Sequence, residues 1–145
     1  SSTKIYVQAR LNVNQFVPPI VVTTVLFDNI LRGTDVAMVD GQFIVPVSGT
    51  YLLSASVNAH PLLGAPGKYF NTSYLINDTN FDVNTQTTSI QDQETRSSFS
   101  VPLVLNAGDK VGVGVWHNAD FVELRAPYAS VGLGSGNWIA LHLMH

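Results

Sequence analysis

Trp116, His117, Asn118 and Asp120 close one apolar stretch of this chain, and Arg125, Pro127 and Tyr128 follow in the long segment after it. Side chains of these types bind sugars or peptide-like ligands. The rings supply a flat apolar surface with a polar rim, and planar polar groups fix orientation. Lys68 and Tyr69 follow a Pro/Gly-rich run, while Asp92, Glu94 and Arg96 stand in a polar one. Arg96 and Arg125 are the cations best suited to a carboxylate, because a guanidinium grips it through two parallel hydrogen bonds. An ordinary surface ion pair is the alternative fate of either. The candidate ligand-binding residues are therefore Arg96, Trp116, Asn118, Arg125 and Tyr128.

Catalysis is not expected. His117 and Asp120 are a histidine and a carboxylate close in sequence, but no nucleophile or third ligand is spaced to join them. His60 sits at a loop edge, and His142 and His145 lie on or beyond a strand end. No nucleophile elbow, zinc-protease helix, phosphate loop or dinucleotide fingerprint occurs. No cofactor is expected. Asp78, Asp82, Asp109 and Asp120 offer oxygen ligands of the kind calcium takes, yet form no close acidic loop, and calcium stays an open candidate. Asn71-Thr72-Ser73 and Asn77-Asp78-Thr79 match the glycosylation sequon, which makes Asn71 and Asn77 candidate acceptors.

The whole chain must position these groups. At 145 residues it makes one domain, 1–145, large enough to bury a core without staples. It has no cysteine, so no disulfide framework or thiolate metal site is available. Charged residues are only 12% and apolar ones 46%, so much of the surface must be neutral or covered by contacts. A net charge of -3 gives no electrostatic case for nucleic acid or an anionic membrane. No run approaches the ~20 apolar residues of a membrane span, and none reads as a signal peptide.

Period-two alternation dominates. From Gly49 to about His60, Tyr51, Leu53, Ala55, Val57 and Ala59 fall on one face and Ser54, Ser56 and Asn58 on the other. Strands are also expected over 4–11, 21–27, 69–77, 81–87, 98–105, 110–117 and 138–144. A short strand should lie between the turns at Arg32–Asp35 and Asp40-Gly41. Pro61–Gly67 and Thr88–Ser97 read as loops, and 119–137 as a long Gly-rich connection. Turn signals every 8–12 residues or so argue for an all-β sandwich or jelly roll of about ten strands, with no helix. Gly112 and Gly114 alternate with Val111, Val113 and Val115, leaving one strand face nearly bare. Close packing against a neighbouring subunit or ring would explain this, as would the floor of a shallow groove. In the last strand Trp138, Ala140 and His142 share one face and Ile139, Leu141 and Leu143 the other. Such a strand suits a sheet whose outer face neighbouring subunits cover.

The run Phe43-Ile44-Val45-Pro46-Val47-Ser48-Gly49-Thr50-Tyr51 resembles the core signature of the globular head of complement C1q. Ala9-Arg10 with Val25-Leu26-Phe27-Asp28-Asn29 looks like that family's opening strands. Gly67-Lys68-Tyr69-Phe70-Asn71 is similar to a run of invertebrate members. Val104 to Val111, with Gly108-Asp109-Lys110 at its turn, looks like the family's late hairpin. The ordered set spans nearly the whole chain. Leu53 and Ala55 stand where the family carries aromatics, and the final strand lacks its Ser-x-Phe-x-Gly pattern.

The resemblance implies a C1q/tumour-necrosis-factor-like jelly roll, assembled as a secreted homotrimer with no membrane insertion. Within the family the likeness is to molluscan lectins of innate immunity. It implies glycans or glycoproteins as partners, sialylated glycans among them, bound through the avidity of three weak sites. Two alternatives share the fold: the trimeric tip of a phage or bacterial fibre, and a cytokine-like ligand for a protein receptor.

Overall fold

The computed structural model describes residues 4–33, 35–63, 68–87, 93–126 and 136–144, of which 60–63, 86–87 and 93–94 are described as backbone. They form two antiparallel sheets. The first holds β1 (Tyr6–Arg10), β2 (Gln15–Val17), β4 (Asn29–Gly33), β7 (Gly49–Leu63), β10 (Gln93–Leu105), β12 (Phe121–Leu124) and β13 (Trp138–Leu143). The second holds β3 (Thr23–Thr24), β5 (Met38–Val39), β6 (Gln42–Ile44), β8 (Tyr69–Ile76), β9 (Thr79–Thr87) and β11 (Lys110–His117). No helix occurs among the described residues. This is the expected all-β jelly-roll sandwich.

β7 organises the first sheet. β10 pairs along its whole length on one edge. On the other edge β13 pairs with Tyr51–Ser56 and β12 with the segment beyond, so two short strands share one long partner. Asn137 secures their junction. Its Oδ1 accepts the Asn58 N–H at 2.6 Å, its Nδ2 donates to the Arg125 carbonyl at 3.1 Å, and its own carbonyl takes the Leu11 N–H. β7 also runs on through Pro61, which the sequence assigns to a loop. Proline lacks an N–H, and both neighbouring ladders shift register across it, so the bulge removes the need for that donor.

The core follows from alternation. Val7, Ala9, Tyr51, Leu53, Ala55, Val57, Ile139 and Leu141 face inward from the first sheet. Phe43, Phe70, Val111, Val113 and Val115 meet them from the second. Tyr51 is fully buried, and its hydroxyl donates to the Val47 carbonyl at 2.6 Å, so the ring closes the corner that precedes its own strand. Burial raises the Tyr51 pKa and the hydrogen bond offsets part of that rise. Asp40-Gly41 makes the expected turn, both residues at positive φ.

Several strands differ from the sequence reading. β10 begins at Gln93, inside the 88–97 run assigned to a loop, because it pairs with the far end of the long β7. β2, β4 and β12 lie in segments assigned to breaks, turns or the long connection, and the strand expected over 21–27 shrinks to Thr23–Thr24. The strands of this group are short, and partner backbone rather than alternation selects them.

Candidate functional site

Trp116 ends the outward row of β11, after Gly112 and Gly114. Those glycines are covered by the chain itself. A methyl group at Gly112 would lie 2.6 Å from Gln42 Cγ; one at Gly114 would lie 3.0 Å from Ser73 Oγ and 3.1 Å from Val22 Cγ1. The glycines are thus closely packed, but against the chain's own Gln42, Ser73, Val22 and Leu75 and not against the neighbouring subunit or ring that was expected. The cover stops at Trp116, and there the surface opens into a cup of about 340 Å³, lined by Val22, Tyr69, Asn71, Asn80, Asp82, Thr85 and Trp116.

Strands β8, β9 and β11 hold these groups in register. Asn71 pairs directly with Trp116 across β11, and with Thr85 across β9. Asn71 Nδ2 donates to Thr85 Oγ1 at 2.8 Å, leaving the Asn71 carbonyl and the Thr85 hydroxyl proton for a ligand. Asn118 holds Tyr69 in place: its Oδ1 accepts the Tyr69 N–H at 2.7 Å and its N–H donates to the Tyr69 carbonyl at 3.3 Å. Asn118 is thus a positioning residue behind the half-exposed Tyr69 ring.

His117 continues the inward row of Val111, Val113 and Val115 and is wholly buried. Nε2 lies 2.7 Å from the Val17 carbonyl, which can only accept, so Nε2 carries the proton. Nδ1 accepts the Ala119 N–H at 3.1 Å, which requires the neutral ring. Burial lowers its pKa, with the Val17 bond opposing the shift. His117 joins β11 to β2 across the sandwich, and both its ring nitrogens are taken by backbone groups rather than by Asp120. Its carbonyl also accepts the Ile20 N–H at 2.8 Å, and Ile20 sits at φ 64, a strained setting for a β-branched residue.

The arginines are elsewhere. Arg96 is exposed on the outward face of β10, opposite Asn58 of β7. Arg125 follows β12 on the same side, its Nε donating to Glu123 Oε1 at 2.9 Å. Arg10 and Arg32 share that side through their pairing with Trp138 and Gln8. All four arginines thus lie on the outward face of the first sheet, a sandwich thickness of about 10 Å from the cup. Arg10 Nε is buried with no partner. The structure brings Trp116 and Asn118 together and leaves Arg96 and Arg125 apart from them. Tyr128 and Asp92 lie outside the described residues.

Asn80, Asp82, Thr85 and Asn71 are lining groups that the sequence reading did not name as ligand contacts. They come from outward positions of strands rather than from loops, with Asp82 and Thr85 three apart because the β8–β9 ladder shifts register between them. The sequon residue Asn77 is exposed in the β8–β9 turn, with Nδ2 donating to Asp109 Oδ1 at 3.0 Å and Oδ1 accepting the Lys110 N–H at 3.0 Å. Among the described residues no three His, Asp or Glu side chains gather to hold a metal ion. Asp78 pairs with Lys110 at 3.1 Å. Asp109 accepts the Asn106 N–H and the Asn77 amide, which hold its pKa below the usual carboxylate value. A second groove, of about 600 Å³, has Leu26, Ile30, Val36 and Met38 as apolar walls with Asp28 and Asp40 beside them.

No protein-family model and no curated protein matches the chain. Solved structures do. Eiger TNF from S. frugiperda superposes with a TM-score of 0.67 at 14% identity, covering 98% of this chain and 93% of that one. Murine APRIL at pH 8.0 gives 0.65 at 15%, covering 98% and 100%. The fold is a TNF-like jelly roll. The likeness supports the C1q/TNF-like fold that the sequence resemblance implied, and at this identity it speaks of fold alone. In this TNF-like chain the two sheets differ in character. The first presents a low, open face: a Ser54–Ser100 and Ser56–Ser98 hydroxyl ladder, the Tyr6–His142 ring pair, Leu52, Pro102 and Val104. The second carries the cup.

Proposed function

We propose that the chain is an extracellular recognition module that assembles as a homotrimer and binds glycans or glycoproteins. The observation that carries this reading is the division between the sheets. One has an open face of small hydroxyls, rings and arginines; the other has a cup of aromatic and amide groups. The open face suits burial against a second copy. The sandwich edge between β9 and β10 offers a complementary surface: Tyr74 stacks on Phe81 at 5.1 Å, Phe99 lies 6.4 Å from Tyr74, and Phe81 and Val83 are largely exposed. Packing an edge of one copy on the face of the next is a head-to-tail contact, and such contacts close into rings. The cup stays open on the far side, and three copies of it would bind a multivalent surface by avidity. Rings with amides around them suit recognition better than catalysis, and His117 is already committed to structure.

Light scattering with a glycan array on the purified protein tests both halves. Three chain masses and binding that Trp116→Ala abolishes are expected. A stable monomer, or array binding unchanged in the variant, refutes the corresponding half.

A second reading, a ligand for a protein receptor, is favoured by the fold likeness to Eiger TNF and APRIL and by the apolar groove of Leu26, Ile30 and Met38. Receptor capture that free sugars do not inhibit selects it. A fibre tip would share the trimer; collagen-like or coiled-coil sequence upstream in the gene would favour it.

A further inference from the structure

We propose that the cup selects neutral sugars, with Asp82 as the hydroxyl acceptor that orients a pyranose on Trp116, and that it rejects sugars carrying a carboxylate. The inference rests on the reading of the cup as a glycan site and specifies what kind of glycan enters it. A pyranose has one face of C–H groups and a rim of hydroxyls. Trp116 and Tyr69 supply apolar ring surface for the first. The rim needs acceptors as well as donors, because each hydroxyl brings its own proton.

Asp82 is the only charged residue lining the cup among the described residues. An ionised carboxylate accepts and does not donate, and a hydroxyl bonded to it makes a shorter and stronger bond than one bonded to an amide. It stands on β9 opposite Ser73, two positions from Asn80, so carboxylate and amide project from the same strand side. Together with the Asn71 carbonyl and the Thr85 hydroxyl they form a mixed acceptor–donor rim, suited to a run of neighbouring hydroxyls.

The same carboxylate works against an acidic sugar. No lysine or arginine lines the cup. The four arginines face outward from the opposite sheet, Lys110 is paired with Asp78, and Lys68 already has a partner. A sialic or uronic acid would place a second negative charge beside Asp82 with no cation of the lining to neutralise it. At surface dielectric this repulsion is worth roughly tenfold or more in affinity. The carboxylate-binding role expected of Arg96 and Arg125 therefore has no place at this cup.

Calorimetric titration of the full chain tests this with two sets of probes: methyl glycosides of glucose, galactose, mannose and N-acetylglucosamine, and sialyllactose with glucuronic acid. At least one neutral glycoside should bind tenfold or more tightly than either acid. Asp82→Asn, at an exposed site, should weaken the neutral sugar about tenfold and narrow its lead over the acids. Asn80→Ala should weaken the neutral sugar less than Asp82→Asn does. An acidic sugar that binds more tightly than every neutral one, and is lost in Tyr69→Ser, overturns the inference while the glycan reading stands. Unchanged neutral affinity in Asp82→Asn also overturns it. Binding by neither set, up to the solubility of the sugars, removes the glycan reading and this inference with it.

Discussion

His117 shows how one side chain can look catalytic in sequence and be structural in space. Its two ring nitrogens satisfy the Val17 carbonyl and the Ala119 N–H, and only the neutral tautomer does both. Protonation would set one donor against another. Because its folded pKa lies below the ordinary 6.5, the unfolded chain binds the proton first. The stability it contributes is complete above about 6.5 and falls away as pH drops from there through the lowered folded value. Urea midpoints measured from pH 8 down to 4 should therefore decline on the acid side. His117→Gln should be less stable at neutral pH by about 1–3 kcal/mol, since one buried partner is left unsatisfied. Its acid slope should be shallower. Trp116 was legible as a candidate ring because a large amphipathic residue ends a strand of valines and glycines, and it does line the cup. Asp82 and Asn80 were not, because outward polar residues on an edge strand look like ordinary solvated ones until β8 and β11 are seen beside them. No local signal places Arg96 a sandwich thickness away from Trp116, since that separation is set by which sheet each strand joins.

Strands are where the sequence spoke most clearly. β7, β8, β9, β11 and β13 each alternate inward and outward residues, and their limits fall within a few positions of the expected ones. β12 and β2 could not be read this way; each is held by partner backbone over three or four residues. The turn between β8 and β9 makes a testable case. Asn77 and Asp78 both take positive φ, at 50° and 69°, the arrangement of a tight hairpin turn that favours glycine at its second position. Asp78→Gly removes a side chain from a conformation it resists and gives up only an exposed ion pair with Lys110. It should stabilise the domain by about 0.5–1 kcal/mol in thermal melts, whereas Asp78→Val should destabilise it. The final strand divides its work by face. Leu141 is fully buried among the sheets, so Leu141→Asp should abolish folding, shown by loss of the β circular dichroism signal, and is no probe of assembly.

For the whole molecule, the sequence led to the jelly roll through ordered motifs, and the expectation of a trimer came from family likeness, low charge and the two apolar faces of the last strand. The assembly proposed above would bury the outward face of the first sheet. Ser54→Arg, in the middle of its hydroxyl ladder, should leave the circular dichroism spectrum unchanged and convert three chain masses to one by light scattering, because a bulky cation would meet a partner on a flat surface already rich in arginine. That placement of arginines has an electrical consequence. A chain of net charge -3 carries all four guanidinium groups on one side, where Glu123 pairs with Arg125 and Glu94 stands in the same sheet, so a single copy is electrically polarised. An isolated copy should cling to a cation-exchange resin at neutral pH, although its isoelectric point of about 5.6 says it should flow through. Concentrating the protein until copies join should release it. The column would then read assembly by the disappearance of a pole.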